Sequence, residues 1–234
     1  MNITLKDEQM QVFSLLCQKL GNDNVFLVGG CLRDALLDRE SFDMDFAVRN
    51  DPAQIAKLFP YALYYEKFGT ISFKLLPYHV TIASFREEKK YSDFRHPQEV
   101  HFVNSLYRDY KRRDFTINCL YLDYLGNLID PTRKGMKDIE NHRIRTVGNP
   151  YRRLREDPLR ILRAVRFSLC LGFSLSPMLE KGILRLRPLV DHLNPDKIRQ
   201  EIDKCDERFR KEMVLRLNLE KYVEKKEEKV DEHH

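Results

Sequence analysis

Residues 25–46, VFLVGGCLRDALLDRESFDMDF, confine the chain to a narrow set of folds. An apolar run stops at Gly29-Gly30, and the residues after it have the composition of a short helix. The segment around Asp43 and Asp45 then reads as a second strand, with carboxylates at alternate positions among Phe42, Met44 and Phe46. Side chains i and i+2 of a strand share a face, so Asp43 and Asp45 point together, opposite Met44 and Phe46. Two carboxylates at that spacing repel each other. A hard divalent cation relieves the repulsion, and Mg²⁺ in particular takes one or two carboxylates together with substrate phosphates. A D-x-D pair by itself fits a solvated strand edge equally well, and a Gly-Gly pair by itself fits any tight connection. In combination they describe a phosphate cradle: glycines let backbone approach a ligand, N–H groups at a helix N-terminus favour an anion, and Arg33 adds positive charge. A cradle beside a metal-binding carboxylate pair is the layout of a nucleotidyl-transfer site.

The rest of the chain predicts an α+β front half and an all-α back half. Helical periodicity runs over 7–20 and stops at Gly21. Strands are expected over 25–28, 44–48, 61–66, 70–76 and 79–85, with helices over 31–38 and 52–59. Residues 117–123 and 127–129 resemble a hairpin. The charged, proline-containing stretch 87–100 predicts a mobile loop. Helices follow over 158–171, 177–186, 195–204 and 208–222. These patterns divide the chain into a front domain over 1–148, a helical segment over 149–222 and a charged tail over 223–234 expected to be disordered. Tyr61, Tyr64 and Tyr65 read as core and edge packing.

At 234 residues and 42% hydrophobic, the chain can bury one sizeable core or two small ones. Its net charge of +5 permits a polyanionic partner without demanding one. The positive charge is local: residues 143–166 hold eight arginines, and Lys111, Arg112 and Arg113 are consecutive. Five scattered cysteines without a C-x-x-C pair predict buried, reduced thiols rather than a disulfide or zinc framework. With no apolar run of membrane-spanning length, a cytoplasmic protein without membrane contact is expected.

The motifs together resemble the class II (bacterial and eukaryotic-type) tRNA nucleotidyltransferase and poly(A) polymerase family, within the polymerase β-like nucleotidyltransferases. GGCLRDALLDRESFDMDF is similar to the family's first motif, RRDFTINCL at 112–120 to its second, and EDPLRILRAVRF at 156–167 to its nucleotide-selecting motif. DKIRQEI at 196–202 is a weaker match to a following helix. The resemblance implies a five-stranded catalytic head followed by a helical neck, body and tail. It implies that Asp43 and Asp45 bind catalytic Mg²⁺, and that Gly29, Gly30, Arg33 and Arg113 contact the triphosphate. Asp114 would contact the ribose, with Asn118 in the same nucleotide-binding motif. Glu156, Asp157 and Arg160, supported by Arg163, would read the base of incoming CTP or ATP. The basic residues Lys111, Arg112, Arg152, Arg153 and Arg155 are the candidate RNA contacts. The implied reaction adds CMP and AMP to an RNA 3′ end, that of tRNA foremost. Poly(A) addition, CC- or A-restricted addition, and a catalytically weak nucleotide- or RNA-binding relative are the alternatives.

Several of these residues also have a plainer reading. Asp157 before Pro158 suits a helix N-cap. Arg160, Arg163 and Arg166 recur as on a solvated basic face. Arg112-Arg113-Asp114 fits a surface ion-pair cluster of little energetic worth. The chain also departs from the family pattern. In HVTIASFR, Thr81 stands where an acidic residue is usual, with His79 nearby. Asp38 stands where glycine is usual. The sequence is also shorter than the family's common length.

Overall fold

The computed structural model describes residues 3, 5–91 and 97–223. Contacts divide the chain into two units, one of residues up to Lys90 and from Pro97 to Asn141, the other of Tyr91 and the residues from His142 onward. The expected tail over 223–234 lies outside the described residues except for its first residue.

The first unit is built on a mixed sheet in the order β3-β4-β5-β2-β1-β8-β9. Its elements are α1 (Asp7–Leu20), β1 (Val25–Val28), α2 (Gly29–Leu36), β2 (Asp43–Val48), α3 (Pro52–Leu58), β3 (Leu63–Tyr65), β4 (Thr70–Leu75), β5 (Tyr78–Ser84), β6 (Arg86–Tyr91), β7 (Pro97–Phe102), α4 (Leu106–Asp109), β8 (Tyr121–Leu122), β9 (Leu128–Ile129) and α5 (Gly135–Glu140). β2 and β5 run parallel, and the other pairs of the sheet are antiparallel. The sheet has seven strands rather than five, because the short pairs β3 with β4 and β8 with β9 extend both edges.

The core follows from the two periodicities. Along β2, Met44, Phe46 and Val48 are buried while Asp43 is exposed. α1 presents Val12, Phe13, Leu16, Cys17 and Leu20 as one buried stripe. The stripe meets the sheet where the Phe13 and Phe46 ring centroids stand 5.3 Å apart. Each such side chain removed from water contributes about 1.5–3 kcal/mol.

Three local expectations are corrected. The stretch expected as a loop over 87–100 forms most of a β6–β7 pair in a sheet of its own, and the charged side chains at its start are partly buried against partners: Arg86 pairs with Glu88, Arg108 with Glu87 and Arg112 with Glu88. Residues 92–96 lie outside the described ones. The expected strand over 117–123 is largely a 3₁₀ turn at Thr116–Asn118, with only Tyr121–Leu122 paired. Of the core and edge packing expected for Tyr61, Tyr64 and Tyr65, only the edge part holds: all three are exposed, Tyr64 and Tyr65 lie on the terminal strand β3, and Tyr61 packs edge-on to Phe59 and Phe73. Asp38, at the usual glycine position, has φ of 53°, the left-handed conformation that follows many helices and that Asp tolerates better than most residues.

The second unit comprises β10 (Arg143–Ile144), α6 (Pro150–Glu156), α7 (Leu159–Leu171), β11 (Ser174–Leu175), α8 (Pro177–Leu186), α9 (Pro195–Asp203) and α10 (Glu207–Leu217). α6, α9 and α10 start at side-chain caps from Asn149, Asn194 and Asp206, and proline occupies the first turn of α6, α8 and α9. α7 is the central helix of the unit: Ile161, Leu162, Ala164 and Val165 are wholly enclosed, and it packs on α9 and α10. No helix among the described residues is long and apolar enough to cross a membrane.

The β2 register predicts unequal costs for two nearby phenylalanines. Phe46→Ala should cost about 3–5 kcal/mol of unfolding free energy. Phe42→Ala, just before the strand and half exposed, should cost less than about 1.5 kcal/mol. Urea unfolding of the two variants checks the register.

Candidate active site

The turn between β1 and α2 is fixed by a close approach. Gly29 has φ of 76°, and a Cβ added there would lie 2.8 Å from Asp45 Oδ2. Val28 pairs with Asp45 across the β1–β2 ladder, so strand pairing drives the carboxylate against the turn. Both the backbone conformation and the missing side chain at position 29 are therefore required. Gly30 differs: its added Cβ would meet Arg33 at an ordinary 3.5 Å.

Asp43 and Asp45 share a face as the strand period demands. In the parallel register with β5, His79 stands beside Asp43 and Thr81 beside Asp45. His79 Nδ1 is 3.8 Å from Asp43 Oδ1, and its Nε2 is 3.0 Å from Ser72 Oγ. Among the described residues no group of three or more His, Cys, Asp or Glu side chains is arranged to hold a metal. The donor set is therefore two carboxylates and no third, which fits Mg²⁺ taking its remaining ligands from phosphate and water.

Arg33, expected on the triphosphate, is buried and engaged. Its Nη2 donates to both carboxylate oxygens of Asp34 at 2.7 and 2.8 Å, and its Nη1 to Asn118 Oδ1 at 2.8 Å. Asn118 Nδ2 in turn donates to Asp114 Oδ1 at 3.3 Å, which also accepts from the Phe115 amide at 2.7 Å. A continuous polar chain, Asp34–Arg33–Asn118–Asp114, thus ties the helix of the first motif to the turn of the second.

Asp109 was missed by sequence reasoning. It is wholly buried and accepts from Arg112 Nε at 2.8 Å, Arg113 Nη2 at 3.1 Å, Tyr121 Oη at 2.7 Å and the Arg86 amide at 3.2 Å. Burial alone would raise its pKa, but the Arg112 and Arg113 guanidiniums override that and hold the carboxyl well below the usual range. Burial pushes the Arg86 guanidinium down to about 10, assisted by Arg112 and opposed by Glu88. The reading of Arg112-Arg113-Asp114 as a weak surface cluster is accordingly corrected: the arginines close on a buried carboxylate. The signal was present in the spacing, since Asp109 precedes Arg112 and Arg113 by three and four residues. Lys111, between them, is exposed.

In the second unit, Glu156 accepts from Arg152 Nε at 2.8 Å and from Arg153 Nη1, with Arg160 Nη1 at 3.6 Å. Asp157 lies between α6 and α7, and its Oδ1 accepts from the Leu159 amide at 3.1 Å. The capping role is thus real, and it coexists with an Arg160 Nε 3.9 Å from Asp157 Oδ2. Arg160 is buried and donates to the Arg153 carbonyl at 2.8 Å. Arg166 pairs with buried Glu201 of the DKIRQEI segment at 2.7 Å, and Arg163 lies over the Phe167 ring. These three arginines do not form a solvated face. Arg153, expected at RNA, is also inside: it falls on the face of α6 that carries Pro150 and Leu154, whereas Arg152 and Arg155 are exposed.

Known proteins share this architecture. Residues 25–145 match the poly A polymerase head domain family. A CCA-adding enzyme of Bacillus licheniformis is 41% identical over 180 residues, which is 76% of this chain and 45% of the relative. The crystal structure of the Bacillus stearothermophilus CCA-adding enzyme in complex with CTP is similar with a TM-score of 0.75 at 34% identity, covering 86% of this chain and 49% of that one. A tRNA nucleotidyltransferase complexed with a primer tRNA and an incoming ATP analog gives 0.70 at 30% identity, over 91% of this chain and 62% of that one. The chain spans less than half the length of the Bacillus licheniformis relative.

The Asp109 hub has a pH signature. Its folded pKa lies below its unfolded value of about 3.9, so its contribution is complete above that value and is lost as pH falls towards the folded pKa. The melting temperature should therefore drop between about pH 5 and pH 2. Asp109→Asn should be destabilised by about 3 kcal/mol at pH 7 and show a shallower acid drop. Calorimetry across that range is the check.

Proposed function

The chain belongs to the tRNA nucleotidyltransferase and poly(A) polymerase family, and from that membership we propose that it adds CMP and AMP, from CTP and ATP, to the 3′ end of tRNA with release of pyrophosphate. The observation that carries the reading is Asp45 lodged against Gly29 with Asp43 beside it. That arrangement puts two carboxylates next to a side-chain-free turn that opens a helix, where phosphate can approach backbone N–H groups. The choice of product rests on the name shared by the relatives, CCA-adding enzyme.

In this reading the primer hydroxyl attacks the α-phosphorus and pyrophosphate leaves. Mg²⁺ held by Asp43 and Asp45 would supply charge neutralisation and a more acidic attacking hydroxyl. Gly29 and Gly30 admit the triphosphate to the N-terminal turn of α2. Arg33, within α2, brings positive charge there; Arg113, held on Asp109, is the second cation proposed for the triphosphate, and Asp114 would accept from the ribose. Asp157 and Arg160, braced by Glu156 and Arg153, present an acceptor and a donor to the base. Cytosine and adenine both offer an amino donor beside a ring acceptor, whereas uracil and guanine reverse the pattern. Lys111, Arg152 and Arg155, exposed in the structure, contact RNA phosphates. The free cysteines suit work in the reducing cytoplasm. Thr81 beside Asp45 favours a second reading, a catalytically weak relative that binds nucleotide and RNA.

Labelled CTP and ATP with tRNA lacking its CCA end separate the readings. The first predicts incorporation of both. Asp43→Asn and Asp45→Asn should melt normally and lose at least about 10²-fold in rate. No incorporation by the unsubstituted chain, with nucleotide binding retained, establishes the second reading; near-normal turnover in either variant refutes the metal assignment.

Base choice has its own test. Asp157→Ala and Arg160→Ala should relax selection against UTP and GTP, since each unpaired buried group disfavours the wrong base by about 1–3 kcal/mol. Incorporation of all four nucleotides is the measurement. Full C and A preference in both variants leaves Asp157 as a cap and Arg160 as a packing residue.

A further inference from the structure

The second unit holds a pair of thiols that the proposed reaction does not use. Cys170 lies in the last turn of α7, and Cys205 lies between α9 and α10. Their sulfur atoms are 3.7 Å apart, although 35 residues separate them in sequence. Cys205 is buried, whereas Cys170 retains access to solvent. The other three cysteines, Cys17, Cys31 and Cys119, are all buried; Cys31 accepts from the Gln9 amide and Cys119 donates to the Tyr110 carbonyl.

We propose that Cys170 and Cys205 form a covalent modification site, a dithiol that low-molecular-weight hydroperoxides convert to an intramolecular disulfide. Sulfurs in van der Waals contact reach the bonding distance of about 2.05 Å by small side-chain rotations. The chemistry divides between the two residues by exposure. The Cys170 thiolate attacks the peroxide O–O bond, taking one oxygen to become a sulfenic acid while the remainder leaves as an alcohol or as water. The Cys205 sulfur then attacks the Cys170 sulfur; hydroxide departs and takes up the Cys205 proton as water. One peroxide is reduced and two thiols are oxidised in the sum.

The surroundings fit this division of roles. Burial dominates at Cys205 and raises its thiol, which leaves the more accessible Cys170 as the first nucleophile. Arg166 and Arg210 act on Cys205 in the opposite sense, towards the thiolate. Arg210 Nε is buried without a hydrogen-bonding partner, and its Nη2 reaches the Cys205 carbonyl at 3.5 Å, so a guanidinium with unused donor capacity stands at the site. The bond would link the end of α7 to the α9–α10 corner, a junction already carrying the Arg166–Glu201 pair.

The test uses the full chain treated with hydrogen peroxide, then alkylation, trypsin digestion and mass spectrometry under non-reducing conditions. The expected product is one cross-linked species joining the Cys170 peptide to the Cys205 peptide, lost on reduction. Its melting temperature should rise by on the order of 5 °C, reversibly. Cys170→Ser should abolish both the cross-link and the rise; Cys205→Ser provides the second variant, and being buried it is read by mass alone. Both cysteines still alkylated after treatment overturns the proposal. So does Cys170 oxidised to sulfinic acid with Cys205 intact, or a disulfide between two molecules through Cys170.

Discussion

A carboxylate with no exposed surface organises the second motif. Removing an ionised Asp109 from water costs several kcal/mol, and the cost is offset only if every donor arrives together. Those donors come from the start of β6, from the turn after α4 and from β8. Arg113 also lies over the Tyr121 ring and donates to its hydroxyl at 2.8 Å, so charge, ring and hydroxyl constrain one another. The position of the loop holding Asp114 and Asn118 follows from this satisfied set, because the loop begins one residue after Arg113.

Much of the fold was legible because its signals are local. Asp43 and Asp45 share a face because a strand has period two, and α1 was visible in the spacing of Phe13, Leu16, Cys17 and Leu20. The 3₁₀ turn at Thr116–Asn118 was hidden by the apolar neighbours Ile117, Cys119 and Leu120, which read as strand. Its backbone is fixed instead by contacts distant in sequence, including Thr116 Oγ1 donating to Asp138 Oδ2 at 2.7 Å. The β6–β7 pair was hidden for the opposite reason: charged residues suggest a loop, yet Arg86 donates to the Phe68 carbonyl, Glu87 pairs with Arg108 and Glu88 lies near Arg112. In the candidate site, the residue types were readable while their burial was not. Nothing in RRLRED distinguishes Arg153 from Arg152 until α6 turns one inward and the other out.

The arginine-rich second unit is less basic at its surface than its sequence suggests. Arg153 and Arg160 are enclosed, and Arg166 is committed to Glu201. Buried guanidiniums paired with carboxylates set direction more than they add stability, since a fork of donors accepts only a narrow range of partner positions. Glu156 is held from both helices it adjoins, which fixes the corner where α6 gives way to α7.

The polar chain from Asp34 through Arg33 and Asn118 to Asp114 makes the opening of α2 and the second-motif turn one mechanical piece. Two side-chain hydrogen bonds, both made by the Asn118 amide, connect the Asp114 carboxylate to the Arg33 guanidinium. Recognition of a sugar at one end and alignment of phosphates at the other would then work as two arms of a single lever. A change at Asn118, midway along it, would break both bonds at once and so reach both arms together.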